Sequence, residues 1–210
     1  MNAPDLDRLA AGRPGEQVYV EQEPELGEAT VTVLDPDGDL DTIHRWVREP
    51  HAGFWGLAGL SRTELRELYA YVDSLPSHHA FLIRFGGVPV VLLQTYQPEC
   101  DPVGECYPVE PGDVGVHFLL GARSRRIPGY TGRIAALVAR FLFSRPGAQR
   151  IIGEPDIRNR PAVERLTRLG FQLGPEIDLP DKRAQLAFLT RSRWESTTTH
   201  PDLPGEIVVS

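Results

Sequence analysis

Cysteine is scarce in this chain: Cys100 and Cys106 are the two among 210 residues, and both lie in the segment PECDPVGEC. Two thiols are too few for a disulfide framework and fall short of the full ligand set of a structural zinc site, so they read as reduced, incidental thiols. Long apolar runs are also lacking. No stretch approaches the about 18 apolar residues that suggest a membrane-spanning helix, and the opening MNAPDLDRLAAGRPGEQ has neither the basic nor the apolar region of a secretory signal, so a cytoplasmic protein is expected. Positive charge is in deficit. With 22 Lys+Arg against 29 Asp+Glu the net charge is −7, the wrong sign for a protein that meets the phosphates of a nucleic acid. What remains, 41% hydrophobic residues among 24% charged ones, can bury a core, and the length fits one domain.

The charge deficit has a local exception. Arg123, Arg125, Arg126 and Arg133 fall close together with no acid between them, a basic island that suits a small anionic ligand better than a polymer. No metal is expected: DPDGDLD at 35–41 resembles a calcium loop superficially, but its glycine comes too early and Trp46 stands where the bidentate Glu belongs. A turn and a helix cap fit that segment instead.

Pattern and punctuation give an element order. Residues 1–27, rich in Pro, Gly and Glu, read as a flexible arm, and the polar residues 194–210 as a tail around a domain at 28–193. ATVTVL at 29–34 alternates like a strand. Leu40, Ile43, Trp46 and Val47 share one helical face, which assigns Trp46 to the core. Ser61 with Glu64 forms a capping box before a second helix striped by Leu65, Leu68, Tyr69, Val72 and Leu75. AFLIRF and VPVVLLQTY flank Gly86-Gly87 as a hairpin, and His78 and His79 just before it are expected in solvent. DVGVHFLLG is a further strand. A helix starts near Gly132, and then come strand RIIGEP, helix RPAVERLTRLGF closed by Gly170, and strand AQLAFLT. The result is an α+β chain around one mixed sheet.

The chemistry concentrates in three places. From Arg125 to Arg133, Gly129 and Gly132 leave backbone N–H groups able to face an anion at a helix start, where the helix dipole and the arginines add positive charge, so a pyrophosphate suits it. Gly-rich turns are also ordinary helix caps. His117 lies in an apolar strand, where a histidine is commonly a hydrogen-bonded core residue, and Asp156 after Pro155 has the setting of a turn cap. Phe54 and Trp55, in a Gly-flanked loop, are candidates to line an aliphatic slot.

EPDIRNRPAVERLTRLGF, through Asn159, Ala162, Leu169, Gly170 and Phe171, resembles the closing motif of GNAT acyltransferases. Arg126, Gly129 and Thr131 resemble that family's acyl-CoA pyrophosphate motif, with Thr131 departing from its last position and Gly132 adjacent. HRWVREPHAGFWGL, DVGVHFLLG and EPDIRN are similar to segments of its siderophore-biosynthesis branch, the lysine and hydroxylysine N-acyltransferases, over roughly residues 28–190. The resemblance implies the GNAT fold, a mixed, mostly antiparallel sheet flanked by helices. It implies acyl-CoA, with acetyl-CoA in first place, as co-substrate, and a small amine or hydroxylamine as acceptor. It also implies a catalytic pair, His117 and Asp156, and an acceptor site of Trp55, Gln94, His117 and Asp156. For the CoA it implies Arg125, Arg126, Ile127, Gly129, Tyr130, Thr131, Gly132, Arg133 and Asn159. The family often uses a Tyr to protonate the leaving sulfur; Leu166 stands there. Acetylation of an aminoglycoside, polyamine or protein N-terminus stays open, as does a non-catalytic acyl-CoA-binding scaffold, and both monomer and dimer are compatible with the sequence.

Overall fold

The computed structural model describes residues 7–121 and 129–199. In chain order these residues form β1 (Gln17–Glu23), β2 (Gly27–Val33), α1 (Leu40–Trp46), α2 (Arg62–Ser74), β3 (His78–Phe85), β4 (Val88–Tyr96) and β5 (Asp113–Leu120). After them come α3 (Tyr130–Phe143), β6 (Arg150–Gly153), α4 (Arg160–Arg168), β7 (Gln172–Asp178), β8 (Arg183–Thr190) and α5 (Arg191–Thr199). The ladders β1–β2, β2–β3, β3–β4, β6–β8 and β7–β8 are antiparallel and β5–β6 is parallel, so the sheet is mixed and mostly antiparallel with helices flanking it.

By compactness the chain divides into two units, and β5 passes from one into the other. The first holds Ala10–Tyr96 and the strand from Val116 onward. In it β1, β2, β3 and β4 succeed one another as antiparallel neighbours. The arm expected over 1–27 is corrected by β1: QVYVEQE pairs along its length with β2, and that ladder orders a segment whose Gly- and Pro-rich surroundings hide its alternation. Beneath α1 and α2 lies a buried cluster that includes Leu34, Ile43, Trp46, Leu65, Tyr69, Ala80, Leu82, Leu92 and Leu119. The capping box is formed in both directions, Ser61 Oγ accepting from Glu64 N and Glu64 Oε2 from Ser61 N, so α2 begins where its sequence says. Gly121 is a packing glycine: a Cβ there would lie 2.3 Å from Cε2 and Cζ2 of Trp46.

The second unit contains Gln97–Gly115 and, among the described residues, the chain from Gly129 on. Here β5 and β6 run parallel for three rungs, Asp113↔Arg150, Val114↔Ile151 and Gly115↔Ile152, and the ladder stops at Gly115. Then β6 pairs with β8 and β8 with β7. α3 buries Ile134, Leu137, Val138, Phe141 and Leu142, the stripe its sequence predicts. Asp113, fully buried, accepts from Arg150, from the Tyr107 hydroxyl and from Glu110 N, which satisfies a charge that would otherwise be costly to bury. The expected tail from Trp194 is also corrected, because α5 continues from Arg191 through Trp194 to Thr199.

Among the described residues no helix is long and apolar enough to cross a membrane, and no group of three or more His, Cys, Asp or Glu side chains is placed to hold a metal ion.

Candidate active site

Side chains two apart on a strand share a face, so the core layer of the first unit can be followed along its strands. Leu82 and Leu92 are cross-strand partners in the buried cluster, together with Leu119 of β5. One step on, Ala80 opposes Gln94, and His117 stands two residues before Leu119; a further step brings His78 opposite Tyr96. The layer therefore changes from aliphatic to polar and aromatic along one face.

His117 is half-buried in this polar end. Its Nδ1 lies 3.2 Å from Gln94 Oε1, and Gln94 Nε2 donates across 3.3 Å to the hydroxyl of Tyr69, which is 1% exposed on α2. Burial pushes the Tyr69 phenol far up, so it stays protonated. The Tyr96 ring is 5.2 Å from the imidazole and tilted by 42°, and Trp55 meets it edge-on at 6.3 Å. On the other side of Tyr96, His78 stacks at 5.8 Å and 17°, its Nδ1 2.9 Å from Ser77 Oγ. The solvent position expected for His78 and His79 is thus corrected: both are half-buried in β3, because the strand starts earlier than its apolar run. Burial also holds the His79 imidazole below its usual range.

Trp55 closes a 3-10 helix, Pro50–Trp55, that turns out of Gly56 at φ +70°. His51 of the same helix bonds through Nε2 to Leu120 O at 2.8 Å, which ties the Trp55 loop to the end of β5. Phe54 is mostly exposed, whereas Trp46 packs inside the core as expected.

In the second unit, Asp156 follows β6 and forms an isolated bridge with Ala184. Its buried carboxylate accepts Arg158 N at 2.8 Å and the Arg158 guanidinium at 2.5–3.1 Å. The Arg158 side-chain bond, opposed by burial and helped by the Arg158 backbone N–H and the charges of Arg158 and Lys182, holds this carboxyl below the ordinary range. Asn159 caps α4, its Oδ1 accepting from Ala162 N at 3.3 Å. Leu166 of α4 lies against the end of β6: a Cβ on Gly153 would sit 3.4 Å from its Cδ1.

Gly129 is the N-cap of α3 at φ +70°, and no acid stands in the first turn, where Tyr130, Thr131, Gly132 and Arg133 follow. A 14-residue helix beginning this way presents backbone N–H groups and a positive dipole end without a competing carboxylate. Arg125, Arg126 and Ile127 lie outside the described residues.

The structure thus gathers Trp55, Gln94 and His117, and adds Tyr69, Tyr96 and His78, which the sequence reading had left to the core, to a strand end or to solvent. The signal for Tyr96 and His78 was their even spacing from Gln94 and Ala80 on paired strands. Nothing in the sequence brings Tyr69 of α2 to Gln94.

The acetyltransferase (GNAT) domain matches residues 35–179, and the chain belongs to that family. Among curated proteins it is similar to N(6)-hydroxylysine O-acetyltransferase of Escherichia coli, 28% identical over 188 residues, covering 87% of this chain and 58% of that protein. It is also similar to lysine N-acyltransferase MbtK of Mycobacterium sp. (strain MCS), 26% identical, covering 79% of this chain and 68% of that one. The chain therefore spans little more than half the length of the first relative. Among solved structures, a Bacillus halodurans protein shares the fold at TM-score 0.80 and 22% identity, covering 90% of this chain and 97% of that one. Aminoglycoside acetyltransferase AAC(6')-Ib in complex with coenzyme A does so at 0.71 and 23%, covering 81% and 99%.

Proposed function

We propose that this chain transfers an acyl group, acetyl in the first instance, from acyl-CoA to the side-chain nitrogen of lysine, ornithine or an N-hydroxylated form of either, in siderophore biosynthesis. The observation that carries the reading is His117, half-buried among Gln94, Tyr96 and Trp55 in a chain of this family. Relatives named for lysine and hydroxylysine transfer supply the acceptor class.

A neutral amine attacks the thioester carbonyl carbon, the C–N bond forms, the C–S bond breaks, and the thiolate leaves and takes up a proton. His117 receives the proton that the acceptor nitrogen must lose, a task suited to an imidazole near neutral pH. Trp55 and Tyr96 wall the acceptor's aliphatic stem, and Asp156, ionised through the neutral range, is the second residue of the proposed catalytic pair. The start of α3, from Gly129 and Tyr130 through Thr131 and Gly132 to Arg133, takes the pyrophosphate with Arg125, Arg126 and Ile127, and Asn159 assists at the head of α4. Direct attack in a ternary complex needs no acyl-enzyme.

The test is thiol release from acetyl-CoA with lysine, ornithine, their N-hydroxylated forms, kanamycin, spermidine and a peptide N-terminus as acceptors. Fastest turnover with the first group is expected. Preference for kanamycin, spermidine or the peptide would overturn the acceptor class, and tight CoA binding without release to any amine would leave a scaffold.

A further inference from the structure

Imidazole is a base at only one of its nitrogens, and the bond made by the other decides which one. Around His117 that choice is visible. Gln94 Oε1 is an amide oxygen and can only accept, so the Nδ1 facing it at 3.2 Å must carry the hydrogen, and the lone pair of the neutral ring is then on Nε2. The amide is also held from behind. Its Nε2 donates to Tyr69 Oη at 3.3 Å, and the Tyr69 ring is locked in the buried cluster between α2 and the sheet. Across the hairpin from Gln94 is Ala80, whose small side chain belongs to the same cluster as that ring.

We propose that Gln94, held in place by Tyr69, is a positioning residue that fixes His117 as the Nδ1–H tautomer and thereby makes Nε2 the basic atom; its catalytic meaning rests on the acyl-transfer reading above. Turning the amide over would place its NH₂ against Nδ1, move the hydrogen to Nε2 and remove the base, so one amide orientation separates a competent site from an incompetent one. Gln94 also differs from a carboxylate partner in being neutral: it orients the imidazole without adding a charge that would stabilise the imidazolium. Among the described residues, the groups facing His117 include Gln94 and Tyr96 of β4 and Trp55 of the 3-10 helix, with Tyr69 of α2 behind Gln94 and His78 of β3 behind Tyr96.

The experiment is ¹⁵N NMR of the histidine ring nitrogens above pH 7.5, with His117 assigned by its loss in His117→Gln. The expected result is a protonated Nδ1 and an unprotonated Nε2 in the native chain, shifting toward the Nε2–H form in Gln94→Leu and partly so in Tyr69→Phe. A native Nε2–H tautomer would overturn the proposal. For turnover with lysine, Gln94→Leu should lower kcat by roughly 10–100-fold with KM little changed, a share of what a general base supplies. Gln94→Glu keeps an acceptor at Nδ1 and adds a negative charge, so it should restore the tautomer and move the acid limb of the pH profile upward. A purely structural Gln94 would instead give a Glu variant as impaired as Leu at every pH, which also overturns the proposal. The tautomer is read without turnover, so a correct tautomer in a chain inactive toward every amine would overturn the acyl-transfer reading and leave this assignment standing.

Discussion

Arg150 grips Asp113 with two prongs, Nε to Oδ1 at 2.7 Å and Nη2 to Oδ2 at 2.8 Å, and the two residues are partners on the first rung of the β5–β6 ladder. The same guanidinium reaches Glu110 and lies 4.9 Å over the Phe188 ring, so one side chain joins β5, β6 and β8. Asp113 is wholly buried, and its charge is tolerable only because each oxygen is bonded.

Asp113→Ala should therefore cost about 3–5 kcal/mol by leaving Arg150 without its main partner. The apolar double change Asp113→Leu with Arg150→Met should cost less than Asp113→Ala alone. Thermal or urea denaturation checks this, and additive losses would show that the pair is not coupled.

Gly121→Ala should destabilise by about 1–3 kcal/mol or more, because the new methyl would overlap the six-membered ring of Trp46. Trp46→Leu also destabilises, through its cavity, but the double variant should lose less than the sum of the singles. Denaturant midpoints of the four proteins give the coupling directly.

The pH response has the same sign at Asp156 and at half-buried His79, stability falling toward acid, but the windows differ. Asp156 has its pKa lowered chiefly by the Arg158 bond, so its contribution is complete above about pH 4 and fades only in stronger acid. His79 has its pKa lowered by burial. Below about pH 6.5 the unfolded chain takes up a proton that the folded chain refuses, so stability falls until the folded imidazole also titrates. His79→Asn should flatten the stability profile between pH 7 and 5, whereas Asp156→Asn should leave its shape there unchanged.

Arg126→Glu should weaken CoA binding at least tenfold in calorimetry while leaving the melting temperature near native, since it reverses a charge in the basic island. Unchanged affinity would remove the Arg125 to Arg133 segment from the CoA site.

His117→Ala should report the acceptor's protonation. A lysine amine, with a pKa near about 10.4, arrives as ammonium and needs the base, so a loss of roughly 10²–10⁴ in rate is expected. A hydroxylamine arrives neutral, and its loss should be modest and fall mainly in acceptor affinity. A misfolded variant whose folded fraction is fully active would return His117 to the core.

Much of the sheet was legible because local chemistry and tertiary packing agree there. The glycines at 86–87 turn with positive φ between two strands whose apolar runs are buried in the sheet, and Ser61 with Glu64 fixes the start of α2 before any packing is considered. β1 and β7 were missed for a shared reason. Both lie at an end of a ladder series, and β7, QLGPEID, carries a Gly and a Pro and leaves most of its residues exposed, so partner hydrogen bonds rather than apolar pattern hold it. In the site, His117, Trp55 and Gln94 were named from the sequence, but the bond that organises them runs from a strand to Tyr69, which sits in a helical stripe indistinguishable from its leucines. Hydrophobic period tells which face is buried; it does not tell which buried hydroxyl meets which amide.

The edge-on approach of Trp55 to His117 gives the protein an optical reporter of its own chemistry. An imidazolium withdraws excitation from a neighbouring indole far more effectively than a neutral ring does, so Trp55 emission should dim as His117 gains its proton and recover as it releases it. Trp46, sealed in the core, and Trp194 of α5 add emission of their own, so Trp55→Phe supplies the background. Fluorescence followed through a stopped-flow mix would then time the arrival of charge at the base separately from the appearance of thiol.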